Sequence, residues 1–160
     1  MALTQQILLE TFEYKDGILY WKNPTSRSVK VGDEVGCNNN GYKLTSVNGK
    51  YIQNHRAIFL MHHGYLPDYV DHIDGNKSNN KIENLRAVTK AQNAWNSKLH
   101  STNKSGIRGV SWNKQTNKWR VAINVDGKAI HLGRFSDIKD AQKVIESARI
   151  QYHGQYARQK

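Results

Sequence analysis

The sequence predicts an α+β fold in three successive parts: an N-terminal antiparallel sheet with a helix, a central strand-loop-strand-helix unit, and a C-terminal three-stranded sheet packed on one helix. Three observations carry this reading. Short strand-like runs are separated by turn dipeptides, with Asn48-Gly49 and Asp126-Gly127 of the type that closes two-residue hairpins. Two stretches, Asn54 to His63 and Asp137 to Tyr152, carry apolar residues at helical spacing. Between residues 96 and 105 the run NSKLHSTNKS is polar and without period, so it reads as a linker or loop.

Taken in order, an amphipathic opening (Ile7, Leu8, Phe12) precedes strand-like runs at Gly17–Trp21 and Gly41–Val47, with a turn at Asn38-Asn-Asn-Gly41. Ala57, Ile58 and Met61 then mark a helix, and Gly64 and Pro67 end it. A strand at Tyr69–Asp71, a loop rich in Asp, Gly and Asn, a strand at Leu85–Thr89 and a helix from about Lys90 make the central unit. Beyond the polar run, Gly106–Trp112, Lys118–Val125 and Lys128–Phe135 read as strands. Ser136 is placed to cap a helix beginning at Asp137, whose apolar stripe is Ile138, Ala141, Val144, Ile145, Ala148 and Tyr152, with Gly154 as its stop. In the middle strand Trp119, Val121, Ile123 and Val125 share one face and Arg120, Ala122 and Asn124 the other, so the apolar face is expected against the helix.

Composition narrows the function. Of the 160 residues, 24 are Lys or Arg against 13 Asp or Glu, a net charge of +11 that points to an anionic polymer as partner. The excess is concentrated at the C-terminal end, where residues 101–160 hold 12 basic and 4 acidic residues. No apolar run is long enough for a membrane span and no secretory signal is visible, so a cytoplasmic, membrane-free setting is expected. Cys37 is the only cysteine, which excludes an intrachain disulfide and a cysteine-rich zinc cage.

The chemistry-bearing stretch is Val70-Asp-His-Ile-Asp-Gly-Asn through Asn84-Leu-Arg to Asn93. Hydrolysis of a phosphodiester needs a base to activate water and positive charge to stabilise the phosphate as charge builds on it. Histidine suits the first task, which points to His72. Asp71 and Asn93 offer oxygen donors of the kind Mg²⁺ takes. Asp and Asn also stabilise loops through their own backbone, and for Asp74, Gly75, Asn79 and Asn80 that turn role is the preferred reading. A zinc site from His55, His62, His63 and Asp71 is disfavoured, because His62 and His63 are adjacent and diverge on a helix; all three histidines read as surface or packing residues.

The pattern D-H-I-D-G-N, then N-L-R, then a helix with a final Asn resembles the HNH endonucleases, and among them the phage and intron-encoded homing endonucleases, from about His55 to Asn96. The resemblance implies a ββα-metal core at about 68–98 within a nuclease domain at 1–98, His72 as general base and Asp71 and Asn93 as ligands of Mg²⁺ or Mn²⁺. It also implies Asn84 as the brace of the loop holding His72, and Arg56 as a phosphate contact. The last letter of the motif is Asn93 here rather than His.

After a linker at 99–104, residues 105–160 resemble an AP2-type DNA-binding domain: Ser-Gly-Ile-Arg-Gly-Val-Ser-Trp, Lys-Trp-Arg-Val-Ala-Ile, His-Leu-Gly-Arg-Phe. The resemblance implies a sheet laid in the major groove of double-stranded DNA. Arg108, Arg120, Asn124, His131 and Arg134 are the expected contacts; of the family's contacting positions Arg108 is retained, while Ser111, Asn113, Ala122, Asn124, Ala129 and His131 depart from the residues of plant members. Together the two resemblances imply a site-specific phage or intron homing endonuclease acting in an infected bacterial cell, as a monomer or a dimer. The alternative is a non-catalytic transcriptional regulator that binds DNA through the AP2-like part, and an RNA-directed protein is weaker for want of an aromatic RNA platform.

Overall fold

The computed structural model describes residues 3–97 and 99–156. The outer ends of the expected domains, at 1–2 and 157–160, and Lys98 of the polar run lie outside the described residues. The chain divides into two compact units, Met1–Thr89 and Lys90–Lys160.

In the first unit the amphipathic opening forms α1 (Gln5–Thr11), capped by the Thr4 hydroxyl, which accepts from the Ile7 amide. Strands β1 (Phe12–Lys15) and β2 (Ile18–Trp21) pair antiparallel across the turn Asp16-Gly17. Gly17 has φ +88, and a Cβ there would come within 2.9 Å of the Lys81 amide nitrogen, so only glycine lets this turn lie against the later loop. Strands β3 (Cys37–Asn39), β4 (Tyr42–Val47) and β5 (Lys50–Gln53) make a second antiparallel sheet in that order. Asn48-Gly49 turns the β4-β5 hairpin with both residues at positive φ. Asn38 and Asn39, expected in a turn, are strand residues facing Lys43 and Tyr42, and the turn is confined to Asn40-Gly41.

Helix α2 (Asn54–His63) ends at Gly64, which takes φ +75 and donates to the Leu60 carbonyl. Asn54, His55 and every residue from Ala57 to Met61 are buried in it. A helix covered on all sides is a core element, and Ile58, Phe59 and Leu60 share one hydrophobic cluster with Leu8, Phe12, Leu19, Val35, Val47, Val70 and Leu85. Against this cluster lie β6 (Tyr69–His72) and β7 (Leu85–Val88), antiparallel, with Asp71 opposite Arg86 and His72 opposite Leu85.

The second unit opens with α3 (Lys90–Asn96) and contains a sheet of order β10-β9-β8: β8 (Val110–Asn113), β9 (Lys118–Val125) and β10 (Lys128–Phe135). The first of these strands starts later than the sequence predicts, since Gly106 and Gly109 both turn at positive φ. A Cβ on Gly109 would lie 2.6 Å from the Ala122 carbonyl. Helix α4 (Ile138–His153) is capped by the Asp137 side chain, which accepts from the Lys139 amide, rather than by Ser136. Its Ala141, Ile145 and Ala148 pack on Val110, Val121 and Ile123, as the alternating pattern of β9 requires. Tyr152, expected in the buried stripe, is 39% exposed. Trp95 and Arg108 tie α3 to the rest of this unit. The Trp95 ring stacks on His153 at 4.0 Å, and the Arg108 guanidinium donates to the Ala94 carbonyl and to Ser97. Among the described residues no helix is long and apolar enough to cross a membrane.

Two outcomes follow from these packings. Burial, with the neighbouring His72 and Arg56 charges, lowers the His55 pKa to about 3, whereas the unfolded chain titrates this ring near an ordinary value of about 6.5. The unfolded state therefore binds the proton first on acidification, and stability from this residue is full above pH ~6.5 and lost toward pH ~3 at up to about 1.4 kcal/mol per pH unit. Denaturant titrations across this range should show a shallower loss for His55→Gln than for the parent. Trp95→Ala should raise amide exchange in α3 roughly five-fold, the equivalent of about 1 kcal/mol for the stacking of two aromatic rings, and leave β9 protected.

Candidate active site

Strand β6 ends with Asp71 and His72, and the loop from 73 to 84 returns the chain to β7. Asp74 shapes the start of that loop: its carboxylate accepts from the Asn76 amide (2.7 Å), Asn79 Nδ2 (2.8 Å) and Asn84 Nδ2 (3.0 Å). Burial opposes its charged form, but these hydrogen bonds and the nearby His72 outweigh it and hold the carboxyl below its ordinary pKa. Asn84 closes the loop. Its Oδ1 accepts from the Asp74 amide, its Nδ2 donates also to the Asn79 carbonyl, and its own carbonyl accepts from the Ile73 amide.

Asp71 and His72 are held from different directions. The Arg86 guanidinium, directly across the ladder, donates through Nε (3.2 Å) and Nη2 (3.0 Å) to Asp71 Oδ2, with both side chains largely covered. An opposite charge at this distance offsets the cost of covering a carboxylate. His72 is 4% exposed, and its Nε2 lies 2.8 Å from Asn80 Oδ1. The His72 ring also packs beside His55, centroids 4.9 Å apart, and Tyr42 at 6.1 Å. Burial and then the Asp71 charge push the Tyr42 hydroxyl above its ordinary pKa, and Lys77 Nζ stands 4.2 Å over the Tyr42 ring.

Asp71, His72 and Asn84 thus share one strand-loop junction in the first unit, while Asn93 is half-buried on α3 in the second. The donor chemistry of a carboxylate and a side-chain amide fits a hard divalent cation, and both Arg86 donors fall on the same Asp71 oxygen, Oδ2. Among the described residues no three His, Cys, Asp or Glu side chains are grouped to hold a metal. His55 packs inside, edge contacts tie His62 to Tyr14 at 4.7 Å, and His63 lies 4.2 Å from Phe59.

Of the expected DNA contacts, Arg120, Asn124, His131 and Arg134 are exposed on the β9-β10 sheet. Arg120 faces Arg134 and Ser111 in register, His131 faces Ala122, and Asn124 faces Ala129. Arg56 instead donates to the Pro67 and Asp68 carbonyls, and Arg108 to the end of α3. Sequence reasoning misses three members of the site. Arg86 stands in the N-L-R motif without an assigned role, Asn80 reads as turn chemistry, and His55 as a surface or packing residue.

The HNH endonuclease family model matches residues 53–95, which run from the start of α2 through β6, the loop and β7 into α3. Protein 3.8 of Escherichia phage T7 is 36% identical over 111 residues, 68% of this chain and 91% of that protein. The uncharacterized HNH endonuclease L560 of Acanthamoeba polyphaga mimivirus is 33% identical over 120 residues, 73% of this chain and 61% of the relative's length. No solved structure matches the chain significantly. The chain belongs to the family of phage T7 protein 3.8 and carries an HNH endonuclease domain.

Proposed function

We propose that this protein is a divalent-metal-dependent DNA endonuclease whose general base is His72 and whose C-terminal sheet grips double-stranded DNA. The observation that carries this reading is the end of β6. There, within the stretch that matches the HNH endonuclease family, an acid and a histidine are adjacent, the acid paired with Arg86 and the histidine oriented by Asn80. His72 takes a proton from water as the water attacks the phosphorus in line, and Asn84 holds the loop that sets its position. His55, uncharged at neutral pH, puts no positive charge beside the imidazolium that forms. Asp71 would be a ligand of Mg²⁺ or Mn²⁺, which when bound supplies positive charge at the phosphate. The HNH resemblance supports 5′-phosphate and 3′-hydroxyl products and a phage or intron homing role. One such site per chain favours nicking unless two chains act together.

The grip rests on the open face of the β8-β10 sheet. Arg120 and Arg134 are side by side, and the three strands contain no acidic residue to separate them. Like charges directly opposite are unfavourable in an isolated sheet, and a polyanion relieves them. That argument supports Arg120, Arg134, Asn124 and His131 as an AP2-like DNA surface. It does not extend to Arg56 and Arg108, whose guanidinium groups donate to backbone carbonyls.

One observation favours a second reading, a DNA-binding regulator without catalysis: Asp71 and His72 are both buried. Plasmid incubated with the protein and Mg²⁺ or Mn²⁺ separates the two. Cleavage stopped by EDTA and reduced about 10²- to 10⁴-fold by His72→Ala, with DNA binding retained, is the expected result; a His72→Ala protein with parental activity refutes the assignment. The Arg120→Ala, Arg134→Ala double variant should bind DNA about ten-fold more weakly at moderate salt. Its log K against log salt should be shallower by up to about 2, one unit for each phosphate that is no longer neutralised.

A further inference from the structure

We propose that Asn80 is a positioning residue that fixes His72 as the Nε2–H tautomer, so that the basic lone pair belongs to Nδ1. The proposal deepens the reading of His72 as general base and rests on it. An amide oxygen can only accept, so the 2.8 Å contact between Asn80 Oδ1 and His72 Nε2 requires the ring to carry its proton on Nε2. In a neutral imidazole the other nitrogen is then the acceptor, and the bond made by one nitrogen decides what the other can do. Asn80 is 5% exposed and His72 4%, so water competes little for this contact.

The segment carrying Asn80 is held on several sides. Asn79 donates to Asp74 Oδ2 (2.8 Å) and its carbonyl accepts from Asn84 Nδ2 (2.8 Å). Two residues after Asn80, the Ile82 amide donates to the Tyr14 hydroxyl (3.1 Å). Gly17 packs against the backbone between Asn80 and Lys81 with no room for a side chain. A purely turn-forming asparagine would bond to nearby backbone; this one reaches eight residues back to a side chain instead.

The test uses full-length protein with ¹⁵N-labelled histidine, free of metal and DNA, and reads the tautomer of His72 from its two ring nitrogens. The parent should show a protonated Nε2, and Asn80→Asp, which keeps an acceptor oxygen, should keep that pattern. Asn80→Leu should lose it and lower kcat about 10- to 100-fold with little change in KM, as for other partners that orient a reacting group. Asp at 80 should restore most of the loss. A parent ring protonated on Nδ1, or a folded Asn80→Leu protein with parental kcat, overturns the proposal. The spectrum needs no cleavage, so a fully active His72→Ala variant alongside an Nε2–H parent ring would sink the general-base reading while supporting the tautomer assignment.

Discussion

The hydrogen bonds of Asn84 are the constraint on which the site depends. One side chain closes a loop of twelve residues by bonding to the Asp74 amide, the Asp74 carboxylate and the Asn79 carbonyl, while its backbone accepts from Ile73. Loops are ordinarily the mobile part of a fold. Here the closure fixes Asn79, hence Asn80, hence the contact to His72, so a polar network does what hydrophobic packing does for α2.

That network sits on an apolar base. The buried residues of α2 press on the inner faces of β4, β5, β6 and β7, and His55 is the polar member of the helix that meets the His72 ring. Covering His55 disfavours its charged form, so the local price of a histidine cluster is acid sensitivity rather than a permanent positive charge. Asp71 is handled in the opposite way. Its charge is kept company by Arg86 across the ladder, at the one register that places the two face to face.

The second unit separates its tasks by sheet face. Val121 and Ile123 of β9 meet α4, and Arg120 and Asn124 point away, a division set by the two-residue period of a strand. Helix α3, which completes the family-matched stretch, groups with this unit through Trp95, His153 and Arg108.

Much of this was legible in the chain itself. Asn48-Gly49, Asp126-Gly127 and Gly64 take the positive φ that their types favour, and α2 and α4 follow their apolar spacing, because turn chemistry and amphipathic period are local properties. The HNH-like pattern marked the endonuclease domain for the same reason: its residue types stand at fixed short spacings. What only the tertiary structure decided were the partners. Arg86 for Asp71, Asn80 and His55 for His72, and the end of α3 for Arg108 are pairings made by strand register, loop closure and helix packing. A side chain's partner depends on where distant segments are brought in space, and no local preference encodes that distance.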